Sequence, residues 1–141
     1  MPSARRLPHT VVATIGAEKI LGIRAGLEPH RIIGIWAVVV EGRVFVRSWS
    51  LGPRSWYRTF LDDPRGFITV GHREIPVRAV RTRSERLKAA VDRAYVAKYT
   101  SPGSVQYARD LGRAKSRDTT TELVPRNPSP RPSPRKRGEG E

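Results

Sequence analysis

The chain contains no cysteine and a single methionine. Without thiols there is no disulfide, no zinc–thiolate centre and no cysteine nucleophile. No apolar run approaches the length of about 20 residues that crosses a bilayer, and Met1 to Pro8 lacks the apolar core of a signal peptide. A cytoplasmic chain with no membrane partner is therefore expected. Histidine is sparse. His9, His30 and His72 lie far apart, none at metal-ligand spacing with an acidic neighbour, so turn or surface positions suit them better than a metal site. Acidic residues are also few: 13 Asp and Glu stand against 27 Lys and Arg, a net charge of +14 and a pI near 11.4.

Several catalytic signatures are missing as well. Ser48, Ser50 and Ser55 sit in no nucleophile elbow. There is no phosphate loop and no dinucleotide fingerprint. Asp62-Asp63, just before Pro64, reads as a solvated turn rather than a carboxylate dyad. Catalysis by side chains alone has little support. The positive field draws anions of every kind, phosphorylated cofactors and nucleic acid included, without choosing among them.

What is present is organised around one stretch. Ile32 to Val40 is almost wholly apolar and rich in β-branched residues, as a strand covered on both faces would be. Glu41-Gly42 has the length of a two-residue hairpin loop. The return strand, Arg43 to Trp49, alternates, with Phe45, Arg47 and Trp49 on one face and Val44, Val46 and Ser48 on the other. A central hairpin is the expectation, with Trp36 and Val38 buried.

Before it, Thr10 is placed to cap a short helix through Ile15, and Lys19 to Arg24 reads as a strand leading to a turn at Gly26-Leu27-Glu28-Pro29. After it, Pro53 suits a first helical position. Arg54 to Asp62 then forms a helix pairing Trp56 with Phe60 and Tyr57 with Leu61, and Pro64 ends it. Phe67 to Val70 and Ile75 to Val80 make a second hairpin across Gly71-His72, with Pro76 calling for an open edge or a bulge. Ser84 to Lys98 is the clearest helix, with an apolar stripe of Leu87, Ala90, Val91, Ala94 and Tyr95. Val105 to Leu111 offers another helical turn or two, and Thr119 to Val124 a late strand stopped by Pro125. From Asn127 to Glu141 a twice-written Pro-Ser-Pro-Arg and a basic end can bury no core, so a disordered tail is expected. Removing its charges still leaves +12 on residues 1–126, most of it on the expected domain, residues 7–126.

One constellation carries chemical interest: Arg47, Ser48, Trp49, Gly52, Arg54, Ser55 and Trp56. Arginines, hydroxyls and the backbone N–H groups of a helix start suit a phosphate or carboxylate, and the indoles suit a flat ring. The alternative is plain packing, with Trp49 and Trp56 in the core and both arginines in water.

At these residues a resemblance appears, covering roughly the middle two-thirds of the chain. The run from Ile35 to Arg126 resembles an uncharacterised bacterial domain-of-unknown-function family. The landmarks are Ile35-Trp36, Val46-Arg47-Ser48, Ser55-Trp56-Tyr57-Arg58, Ala94-Tyr95-Val96-Ala97-Lys98-Tyr99 and Thr121-Glu122-Leu123-Val124-Pro125-Arg126. The order Ser48, Gly52, Trp56-Tyr57, Leu61, Pro64 is also similar to that of the deazaflavin-dependent nitroreductases of the flavin-binding split-barrel superfamily. Those enzymes carry an Arg-Ser-Gly-x-x-Arg loop; here Arg24-Ala25-Gly26 reaches Arg31 after a longer, serine-free turn.

The resemblance implies a mostly β (α+β) fold, an antiparallel split β-barrel with flanking helices, often a homodimer. It implies a cofactor, FMN or deazaflavin, whose phosphate lies in a basic crevice. On that reading Arg47, Ser48 and Arg54 would hold the phosphate, Arg24 and Arg31 would be second candidates for its other side, and Trp49 and Trp56 would shape the ring pocket, with Ser55 a further cofactor-binding residue and oxidoreductase chemistry one implication. Two rival readings stand beside this one. The first is a basic barrel binding nucleic acid by stacking bases on Trp49 or Tyr57. The second is a cofactor-free dimerisation module.

Overall fold

A computed structural model describes residues 6–27, 31–50, 52 and 54–126. The expected tail, Pro53, Pro29 and His30 lie outside these residues. Among the described residues no helix is long and apolar enough to cross a membrane.

Seven antiparallel strands form one sheet that curls into a nearly closed barrel, as the resemblance implied. In chain order they are β1 (Leu21–Ala25), β2 (Ile33–Ile35), β3 (Ala37–Val40), β4 (Arg43–Val46), β5 (Arg65–Val70), β6 (Arg73–Arg81) and β7 (Thr121–Pro125). Their order across the sheet is β2-β1-β5-β6-β7-β4-β3. The helices are α1 (His9–Ala17), α2 (Trp56–Asp62), α3 (Glu85–Lys98), α4 (Val105–Asp110) and α5 (Ala114–Arg117).

The period of two sorts the strand residues into two cores. Ile23, Ile35, Ala37, Val44, Val46, Ile68, Val77 and Leu123 face inward and meet Val11, Val12 and Ile15 of α1 and Trp56, Tyr57 and Phe60 of α2. On the outer face, Val38 and Phe45 pack beneath Leu87, Val91 and Tyr95 of α3, with Ala108 and Leu111 beside them. The alternation expected for the return strand therefore holds, as does the α3 stripe. Ser84 caps α3 by accepting from the backbone N–H of Leu87.

The hairpin turn is also as read. Glu41 and Gly42 both take positive φ, 56° and 72°, the pattern of a two-residue turn whose twist suits antiparallel strands.

The apolar run before the turn is different. Ile32 to Val40 is not one strand covered on both faces. It breaks at Trp36 into β2 and β3, which lie at opposite ends of the strand order, so the hairpin ends the sheet instead of centring it. The break has a physical cause in α3. The Tyr95 hydroxyl donates to the Trp36 carbonyl at 2.8 Å, and the Ala37 N–H donates to the Tyr99 hydroxyl at 3.2 Å. Two tyrosines thus take over backbone groups that a continuous strand would pair. Val38 is buried, but Trp36 is only partly so.

Smaller corrections follow from local bonds. Pro8, not Thr10, stands at the start of α1. The helix read from Arg54 begins at Trp56, capped by Ser55, whose side chain accepts from the Arg58 N–H. Trp56 and Phe60 meet edge to face as expected, whereas Leu61 is about half exposed. Pro76 sits on neither a sheet edge nor a bulge. Its carbonyl accepts from Arg126 just past the final β6–β7 pair, Val77 with Pro125, so its missing N–H points to where that ladder stops.

Candidate functional site

The gap between β2 and the connection from β4 to α2 opens into a crevice of about 640 Å³, and a second compartment of about 610 Å³ adjoins it. Ile33, Arg54 and Trp56 border both. The first is walled by Trp36 and Trp49, the second by Ile23, Arg31 and Thr59. One end is therefore aromatic and the other cationic.

The aromatic end is built from the core outward. Trp36 stacks on Tyr99 with ring centroids 3.9 Å apart and planes within 3°. Trp49, 44% exposed, meets Trp36 edge-on at 5.3 Å, and Tyr107 meets Trp49 at 6.1 Å. Edge-to-face contacts of this kind orient the rings beyond what burial alone does. Burial pushes the Tyr99 hydroxyl up to about 12 and the Tyr95 hydroxyl well above its ordinary range, so both remain protonated hydrogen-bonding groups. Lys98 lies beside them, its ammonium donating to the Ile15 and Ala37 carbonyls, and burial lowers its pKa.

Of the residues expected to hold a phosphate, Arg47 is the plainest correction. Its side chain is fully enclosed, and its guanidinium is committed to the protein. Nε donates to Thr120 Oγ1 at 2.8 Å, Nη1 to Asp92 Oδ1 at 2.6 Å and to the Leu111 carbonyl at 2.9 Å, and Nη2 to the Lys88 carbonyl at 2.9 Å. It is a structural tie from the end of β4 to α3, α4 and the start of β7, with four of its five N–H donors bonded within the protein, although the residue also borders the first compartment.

Ser48 is likewise spent. Its hydroxyl donates to the Ser50 carbonyl and accepts from the Ser50 N–H, closing a local turn. Arg24 lies outside both compartments, on the outer face of β1. There it pairs with Glu74 and covers the Phe67 ring.

Arg54 borders both compartments and Arg31 the second. Both are exposed, and neither pairs with a carboxylate among the described residues. Ser55 lines the crevice, and its hydroxyl proton is uncommitted among the described residues because the helix cap uses only its lone pair. Trp56 is buried yet borders both compartments. Tyr57 is buried in the barrel interior and presents no face on which a base could stack.

Sequence reasoning missed Trp36 as a wall of the site because it lay inside what read as one strand. Tyr107, exposed on a short helix with no telling pattern, supports Trp49 without lining either compartment.

Fold and crevice together define the class: an antiparallel split-barrel protein with an aromatic and cationic cleft beside its open seam. The chain belongs to the family described as an uncharacterized protein conserved in bacteria, DUF2255, whose profile matches residues 12–123. No curated protein matches the sequence. Two solved structures share the fold. They are the conserved hypothetical protein Rv2991 from Mycobacterium tuberculosis and a FAD-binding protein from Mesorhizobium loti. Each is 10% identical, with a TM-score of 0.53 and 90% of this chain covered; 86% of the first and 95% of the second are covered in return. At that identity the likeness shows the fold alone.

Proposed function

We propose that the crevice holds a flavin-type cofactor, FMN or a deazaflavin, with its ring system in the tryptophan-walled compartment and its phosphate toward Arg54 and Arg31. One observation carries the reading: a cleft whose aromatic end and cationic end share Trp56 and Arg54 on their common border. The FAD-binding neighbour lends it support through fold.

The donor chemistry fits. Arg54, Arg31 and the Ser55 hydroxyl offer charge-assisted and neutral donors to an anion, and the indoles offer flat apolar surface to a ring. When bound, such a group supplies hydride transfer. The residues here bind and orient it: Trp36 is braced from behind by Tyr99, and Trp49 stands over the entrance. Ile20 and Ile32, each about half exposed, sit at the open rim of β1 and β2, where a second copy of the chain would complete the enclosure. Sedimentation velocity reads that part of the proposal directly.

The main test is titration of the full chain with FMN and with a deazaflavin, followed by tryptophan quenching. Saturable quenching is expected, and Arg54→Ala should weaken it about ten- to a hundredfold, the worth of a hydrogen bond to a charged group. No saturable quenching by either compound would sink the reading.

A further inference from the structure

The outer face of the sheet is covered by α3 over β3 and β4, but among the described residues β1, β5, β6 and the end of β7 carry no helix on that side. Arginines occupy this uncovered area. Arg24 lies opposite Phe67, Phe67 opposite Pro76, and the Arg126 N–H donates to the Pro76 carbonyl, so these residues form one row across four strands. The guanidinium of Arg24 lies 4.2 Å from the Phe67 ring centroid and that of Arg126 lies 5.0 Å from it. Arg126 is fixed further by donating to the Val77 and Gly66 carbonyls.

Beside this row Arg65 stands directly opposite Arg78. Like charges at opposite positions of an antiparallel pair destabilise a sheet. Asp63 offsets Arg65, but Arg78 has no carboxylate partner among the described residues. Burial, then the charge of Arg65, lower the Arg126 pKa; Asp63 opposes them, and Arg78 adds a weaker lowering still. Glu74 pairs with Arg24 on the same face, so among the described residues the cations there without a carboxylate partner are Arg78 and Arg126.

We propose that this face binds the phosphodiester backbone of nucleic acid. The row from Arg24 to Arg126 crosses three inter-strand gaps, about 14 Å, the axial length of about four successive phosphates on one DNA strand. Both guanidinium groups engage the one aromatic side chain there, leaving no open ring for stacking. Recognition would rest on backbone charge and carry no base sequence.

The test separates this face from general positive charge. Full-length protein is titrated into a fluorescein-labelled mixed-sequence DNA duplex of 20 base pairs at several salt concentrations. Arg65→Gln/Arg78→Gln is compared with Arg93→Gln/Arg109→Gln, which removes equal charge from exposed positions on α3 and α4. The face double variant should lose about tenfold or more in affinity at low salt. Its log–log salt slope should fall by about 2. The control should lose much less on both measures. Equal losses in the two doubles, or no duplex binding by the wild type, overturn the proposal. Arg78→Gln alone, at an exposed strand position, repeats the comparison should the double variant unfold.

Discussion

Replacing Arg47 separates a fold residue from a site residue. Arg47→Ala removes four hydrogen bonds and strips Asp92 of its shortest partner. Asp92 keeps Arg117 at 3.0 Å, so its charge is not wholly abandoned. The Leu111 and Lys88 carbonyls have no such reserve among their side-chain partners. Breaking a buried pair by removing one member costs about 3–5 kcal/mol, because the uncompensated groups stay behind. A domain of this size holds about 5–15 kcal/mol in total. With a urea slope of about 2 kcal/mol per molar, the unfolding midpoint should fall by roughly 2 M, read by tryptophan fluorescence. Arg47→Lys should rescue only part, since one ammonium cannot reproduce a fork that serves β7, α3 and α4 together. Arg47→Met with Asp92→Asn should be less damaged than the sum of the single changes, with a coupling of about 1–3 kcal/mol. A midpoint within about 0.3 M of wild type for Arg47→Ala, accompanied by lost cofactor affinity, would refute this account and return Arg47 to the site.

Two further perturbations test other parts of the structure. At alkaline pH the raised Tyr99 and Tyr95 hydroxyls keep protons in the folded state that the unfolded chain releases near pH 10. Stability present below pH 10 should be lost as pH rises toward 12, by up to about 2–3 kcal/mol from Tyr99. Lys98 works the other way: its lowered pKa adds stability as pH climbs to its unfolded value near 10.5, so the net loss should emerge above that point. Tyrosinate absorbance beside a urea series checks both, and a flat stability profile to pH 12 would count against the buried tyrosines. Gly66→Ala should cost about 1–3 kcal/mol, because a Cβ there would lie 2.7 Å from the Arg24 carbonyl and 2.8 Å from Phe60. A melting temperature unchanged in that variant would show that β1 and α2 can move apart.

The strands with alternating burial were legible because one face of each meets water or a separate layer. The β5–β6 hairpin alternates in exposure along part of its length, and Val44 to Val46 alternates between the two cores, Val44 and Val46 in one and Phe45 in the other. The Ile32 to Val40 run was not, because an unbroken apolar stretch carries no phase. The groups that split it, the Tyr95 and Tyr99 hydroxyls, lie some 60 residues away in sequence. Arg47 misled for a related reason. Alternation put it correctly on the face of Phe45, but whether a guanidinium there meets solvent depends on α3 and the Leu111 carbonyl, which no local pattern reveals. That Arg54 and Arg31 border a cleft was easier to anticipate, because they sit in connections around it, where side chains are not recruited into a second layer.

The tyrosines that divide β2 from β3 also tie the cleft's aromatic wall to the core. Trp36 is held through its carbonyl by Tyr95 and through its ring by Tyr99, and Arg47 lies over the Tyr95 ring at 6.0 Å. The wall is thus an extension of the network that joins α3 to the sheet, and a change there affects stability and the site together. The cationic end has no such support. Arg54 and Arg31 are exposed and bonded to nothing that holds the fold among the described residues, so the fold places no demand on them. A chain of this family could therefore exchange those arginines, and with them its affinity for an anion, while the barrel and aromatic wall stayed intact. On the proposed reading, the aromatic wall belongs to the fold as much as to the cleft, whereas Arg54 and Arg31 would be the residues that set its affinity for an anion.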